Sequence, residues 1–134
     1  MKYLLDTDTC IYVIKHKPAQ VLEKFLSLEV GGVSVSAVTV AELLYGAEKS
    51  QYPQQNRDAL GKFLMPLNIL DFNLAAAESY GKIRAALEKK GIPIGAYDLM
   101  IAAQALSQDL ILVSNNLREF SRISDLRLEN WAEG

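Results

Sequence analysis

The 134-residue chain has one cysteine, Cys10, and one histidine, His16. A single thiol closes no internal disulfide, and no Cys/His set with zinc-site spacing can be assembled. Cys10 lies in an apolar stretch whereas His16 sits among lysines, which also excludes a Cys/His nucleophilic pair. Cys10 therefore reads as a small core residue in a reducing compartment. An excess of charge of either sign is missing too, with 14 Lys and Arg against 16 Asp and Glu. The resulting net charge of −2 does not advertise a nucleic-acid binder, although local basic patches can still act as one. Long apolar runs are absent: nothing approaches the ~20 residues of a membrane span. Only three residues separate Met1-Lys2 from Asp6, too few for a signal peptide, so a cytoplasmic protein with no membrane association is expected. Repeats, linkers and low-complexity segments are lacking as well. What remains is ordinary globular composition, half apolar and 22% charged, consistent with one domain spanning residues 1–134.

Tyr3-Leu4-Leu5 reads as a first buried strand that stops on Asp6-Thr7-Asp8. A helix with Ile11, Val13 and Ile14 follows, and Pro18 opens a second one carrying Val21, Leu22, Phe25 and Leu26. Gly31-Gly32 breaks the pattern, and Val33-Ser34-Val35-Ser36 alternates as a short strand should. Thr39 is expected to start a helix with Val40, Leu43, Leu44 and Ala47 on one stripe and Glu42 off it. Ser50 to Gln55 reads as a polar turn, Arg57 to Leu64 as a helix, and Asn68 to Asp71 as a strand. Asn73 caps a helix that ends at Gly91, and a rigid loop over 91–95 delivers Tyr97-Asp98 to an apolar helix over 99–106. Leu110 to Val113 is an interior strand, Ser114-Asn115-Asn116 a turn, and Leu126 to Leu128 a last short strand. Five strands alternating with helices predict a three-layer α/β/α domain around a five-stranded, mainly parallel sheet, because parallel strands need helical crossovers.

Three acids fall toward one edge of that sheet. Asp6 ends the first strand, Glu42 falls in the first turn of the helix after the second, and Asp98 opens the buried helix before the fourth. Each has a purely structural explanation. Asp6, Thr7 or Asp8 can cap a helix, Thr39-Val40-Ala41-Glu42 has the form of a capping box, and Asp98 can complement a helix N-terminus. Capping explains the convergence less well, since buried acids repel one another unless a cation sits among them. Oxygen ligands suit Mg²⁺, with Mn²⁺ a substitute, and such an ion orients water against a phosphate ester.

The segments Leu4-Leu5-Asp6-Thr7-Asp8, Thr39-Val40-Ala41-Glu42-Leu43-Leu44-Tyr45-Gly46, Tyr97-Asp98-Leu99-Met100-Ile101-Ala102-Ala103 and Leu112-Val113-Ser114-Asn115-Asn116 with Arg118-Glu119-Phe120 follow in this order and spacing. Together they resemble the PIN-domain ribonucleases of the VapC toxin type, over essentially the whole chain. The resemblance implies Mg²⁺-dependent RNA cleavage that inhibits translation and leaves a 5′-phosphate and a 3′-hydroxyl. It also implies a homodimer and a VapB-type antitoxin that blocks the site and carries the pair to operator DNA. Likeness to the enteric-type members implies a tRNA anticodon stem-loop, initiator tRNA among them, as substrate. By position, Asp6, Glu42 and Asp98 form the acidic site; Asp6 and Asp98 ligate the metal, and Glu42 holds or deprotonates the attacking water. The chain departs from the pattern at Asp8, where Asn is common, and at Asn115-Asn116, where a further Asp is common. Asn116 still offers a neutral oxygen, and Glu119, a helical turn on, restores the charge. Lys15, Lys17, Lys49, Arg84, Lys89, Lys90, Arg118 and Arg122 are candidates to contact RNA, or ordinary solvated charges.

Two other readings compete. Asp6-Thr7-Asp8-Thr9-Cys10 approximates the D-x-D-x-[T/V] signature of haloacid-dehalogenase-like phosphatases, with Asp6 as nucleophile, but Cys10, the late amides and the short chain count against it. A non-catalytic module would use the three acids only as caps and bind a partner helix near Val40 to Ala47.

Overall fold

The computed structural model describes residues 2–29 and 31–133. Its strands are β1 (Tyr3–Leu5), β2 (Val33–Ser36), β3 (Asn68–Leu70), β4 (Ile111–Val113) and β5 (Leu128–Glu129). The helices are α1 (Thr7–Lys15), α2 (Ala19–Leu26), α3 (Ala37–Glu48), α4 (Pro53–Leu64), α5 (Leu74–Lys89), α6 (Ala96–Ser107) and α7 (Leu117–Phe120). All four strand pairings are parallel and the order is β3-β2-β1-β4-β5, so β1 lies at the centre. Leu5 pairs with Val35 on one side and Val113 on the other, which brings the carboxyl ends of the three central strands level. The sheet divides two apolar cores. One gathers Leu4, Leu112, Leu99, Ile101 and Phe120 beneath α5 and α6; the other gathers Leu5, Val35, Val113, Cys10 and Val21 beneath α1 and α2. This is the expected three-layer arrangement, and every strand of the sheet is parallel.

Several boundaries differ from expectation. Strand β2 keeps its expected place and is buried at all four positions, because a parallel sheet is covered on both faces. Helix α3 follows β2 without a loop: Ser36 is its N-cap, accepting from Val38 N at 2.9 Å, so the capping box expected at Thr39 does not form and Glu42 falls a turn further in. Leu44 of its supposed apolar stripe is exposed. Helix α4 starts at Pro53, inside the expected turn, since proline at a first helical position loses no hydrogen bond. The last strand lies at Leu128–Glu129, two residues later than its expected start at Leu126. Helix α5 meets its predicted ends: Asn73 accepts from Ala76 N at 3.0 Å, and Gly91 takes φ 72°, the left-handed region open to glycine.

Candidate active site

Asp6 leaves β1 at the centre of the sheet. Its backbone N–H still reaches Val113 O across the β1–β4 pair at 3.0 Å, and its side chain turns over α1, where Oδ1 accepts from Thr9 N at 2.9 Å. Asp6 is thus an N-cap, as its simplest reading holds, yet it is also only 4% exposed. Burial pushes its carboxyl above the ordinary value, while the Ser114 hydroxyl and the Thr9 N–H pull the other way and Asp8 adds to the rise. An N-cap needs no such desolvation, so capping leaves the burial of this acid unexplained.

Asp98 occupies the first turn of α6, on a half-buried position facing the same edge. Its pKa rises to about 6, first through burial and then through the negative charges of Asp6, Glu119, Glu42 and Asp8. Four acids therefore act on a fifth. The sequence-predicted Asp6, Glu42, Asp98 and Glu119 are brought into one electrostatic neighbourhood at the carboxyl ends of β1, β2 and β4, where open α/β sheets bind ligands. They are not packed into a cage: among the described residues, no three His, Cys, Asp or Glu side chains are gathered closely enough to enclose an ion. Magnesium does not require one, since it binds through one or two carboxylates and completes its shell with water and phosphate oxygens. The donor set, two desolvated carboxylates that repel each other, fits such a cation.

Two contributors were absent from the predicted set. Thr7 Oγ1 lies 2.7 Å from Glu42 Oε1 and 3.3 Å from Thr39 Oγ1. A hydroxyl has one proton, and the shorter contact to a carboxylate takes it; the fully buried Thr39 then donates to Thr7. Glu42 Oε1 is thereby held, and Oε2 is left for another partner. Ser114, 1% exposed at the end of β4, stands by Asp6, whose charged form it favours, and accepts from Asn116 N at 2.9 Å. The signal for both was their adjacency in sequence to the acids and amides already singled out. Asn116 Nδ2 donates to Glu119 Oε2 at 2.9 Å, so the amide at the departing position orients the acid one turn on. Cys10 is fully buried behind Asp6, and burial and the Asp6 charge push its thiol well above the ordinary range, which leaves it no nucleophilic role.

A groove of about 810 Å³ opens beside this edge between α3 and α6. Thr7 and Glu42 line its acidic end, and Tyr45, Tyr97 and Met100 its apolar walls.

The sequence matches the PIN domain model over residues 3–126. It is 48% identical to the tRNA(fMet)-specific endonuclease VapC of Shigella flexneri, covering 98% of this chain and 99% of that protein. It is 52% identical to Ribonuclease VapC2 of Haemophilus influenzae, covering 98% of each. Among solved structures, the DNA-bound VapBC of Salmonella typhimurium superposes with a TM-score of 0.92 at 46% identity, covering 98% of each chain. VapBC2 of Rickettsia felis, bound to a promoter DNA fragment, gives 0.91 at 40% identity, covering 98% of this chain and 99% of that one. Fold, acidic edge and near-full-length identity agree: the chain belongs to the PIN-domain family and, within it, to the VapC ribonucleases.

Proposed function

We propose that the protein, acting as one PIN domain, is the Mg²⁺-dependent endoribonuclease toxin of a toxin–antitoxin pair, and that it cuts the anticodon stem-loop of a tRNA, initiator tRNA included, to stop translation. The observation that carries this reading is the convergence of Asp6, Glu42, Asp98 and Glu119 at one edge of the sheet, where burial and the charges of Asp6, Glu119, Glu42 and Asp8 push Asp98 up to about 6. Asp6 and Asp98 are the residues to hold the ion. When bound, it supplies positive charge to the scissile phosphate and lowers the pKa of associated water. Glu42 Oε2 is free to take a proton from the attacking water, because Thr7 occupies Oε1. Ser114 and Thr9 fix the Asp6 carboxylate, and Asn116 fixes Glu119 as the acid that stands in for the family's usual fourth one. Tight binding of an exposed anticodon loop is favoured by single-stranded bases that can unstack.

The relatives from Salmonella and Rickettsia occur as VapBC complexes bound to DNA. By that likeness, the apolar groove beside Glu42 takes a segment of a VapB-type antitoxin, a basic residue of which neutralises the acids, and the antitoxin carries the homodimeric toxin to its operator. A phosphatase of the haloacid-dehalogenase type has no support in this family match.

The test is cleavage of end-labelled total tRNA by the purified chain. Discrete fragments that need Mg²⁺ and vanish with EDTA are expected, with the rate falling by about two orders of magnitude or more in Asp6→Asn. Intact tRNA with wild-type protein, freed of any copurified partner, rejects the tRNA assignment; ribosomal RNA left equally intact rejects the ribonuclease.

A further inference from the structure

An acidic site on a protein of net charge −2 must still attract a polyanion. Three of its cations are already neutralised by carboxylates. Arg57 is paired with Glu48 at 2.9 Å, Arg84 with Glu88 at 2.7 Å, and Arg127 with Asp109 at 3.1 Å. The other described lysines and arginines have no carboxylate partner, and three of them, Lys82, Lys90 and Arg122, line one cleft of about 190 Å³ between α5 and the segment after α7. No acid lines that cleft. Its floor is aliphatic, formed by Ile83, Leu87 and Ile123, all nearly buried.

The cleft is tied to the catalytic edge through Arg122. Arg122 Nη1 donates to Pro93 O at 3.1 Å, anchoring the loop whose far end begins α6 and therefore carries Asp98. Arg122 also lies just beyond α7, the turn that holds Glu119. A guanidinium held by one hydrogen bond keeps its remaining N–H groups for an anion.

We propose that this cleft binds the phosphodiester backbone of the RNA substrate at a distance from the scissile bond, with Lys82, Lys90 and Arg122 each neutralising phosphate. The inference rests on the ribonuclease reading above. A cationic rim over an aliphatic floor suits ribose and phosphate in alternation, and the Arg122–Pro93 bond fixes it relative to the loop that leads to Asp98. It acts on affinity and not on chemistry, because phosphate contacts of this kind position a nucleic acid without touching the reacting atoms.

The experiment measures binding of end-labelled tRNA to Asp6→Asn protein at several salt concentrations, with and without Lys82→Gln, Lys90→Gln and Arg122→Gln. Each phosphate contact contributes about 0.7–0.9 to the slope of log affinity against log salt, so the triple variant is expected to lose roughly 2–3 of that slope. In the otherwise wild-type chain, Lys82→Gln/Lys90→Gln raises KM for tRNA several-fold while kcat holds. The Lys82→Gln/Lys90→Gln pair leaves the Arg122–Pro93 bond in place, and its loss of roughly 1–2 in slope separates lost charge from a disturbed loop. An unchanged slope in both variants overturns the proposal even while wild-type protein still cleaves RNA. Failure of wild-type protein to cut any RNA overturns the ribonuclease reading and this proposal with it. If the substitutions weaken binding of polyglutamate and spare tRNA, the cleft takes an acidic polypeptide and the proposal is wrong.

Discussion

Thr7 shows how little separates a helix-opening residue from part of the proposed site. It is the first residue of α1, yet its hydroxyl spends its one proton on Glu42. Thr7→Val keeps the shape and removes the donor, so kcat is expected to fall about 10–100-fold with KM nearly unchanged, and Thr7→Ser to restore most of it. Loss of KM alone, or no recovery in the serine variant, would mean that Thr7 only packs. Asp98 makes a prediction of a different kind. In the folded chain it gains its proton near pH 6 instead of 3.8, so the native state binds protons more tightly in that window. Metal-free protein should therefore lose stability as pH rises from about 4 to about 6 and level off above. Asp98→Asn removes that loss and raises the Tm at pH 7.5 by a few degrees, read by thermal scans in EDTA; a variant less stable than wild type at that pH contradicts it. The acids were legible because carboxylates at strand ends and at the head of an apolar helix are conspicuous in a sequence. Thr7 and Ser114 were marked only by standing next to those acids and amides, since a hydroxyl announces its partner only once the fold has set the distance.

Elements were legible where one physical signal dominated. Asn73 and Gly91 bracket α5 because capping and left-handed closure are local chemistry, written within four residues of each end. The head of α3 was missed because the strand-to-helix join at Ser36-Ala37 has no loop, and a pattern of apolar spacing cannot see a helix begin one residue after a strand. The burial of Gln104 within α6 was equally hidden, since glutamine in a helix usually reads as surface. At 1% exposure, Gln104 Nε2 donates to Leu70 O at 3.1 Å and Asp71 O at 3.0 Å, holding the end of edge strand β3 to α6. Gln104→Leu strands two carbonyls for one relieved amide oxygen, whose Oε1 has no partner. The net cost should be about 1–3 kcal/mol, seen as a lower urea midpoint at unchanged m. An unaltered midpoint would show the clip to be dispensable.

At the scale of the whole molecule, the segment after β5 returns to β1. Trp131 packs edge-on against Tyr3 with centroids 5.4 Å apart, and Nε1 donates to Glu129 at 3.0 Å, so the last residues brace the strand that presents Asp6. Trp131→Ala should cost about 3–5 kcal/mol and is measurable by equilibrium unfolding, a large share of the ~5–15 kcal/mol typical of a domain. A loss under 1 kcal/mol would mean that the central strand does not depend on it. The same centrality gives Cys10 a use. It is the chain's one thiol, it is fully buried, and it lies behind the carboxylate on which the site is built. An alkylating reagent can reach it only when the layer under the active site opens, so the labelling rate is a clock for that opening, built into the unmodified protein. Any ligand that clamps the acidic edge must slow the clock, whether or not it is ever cleaved.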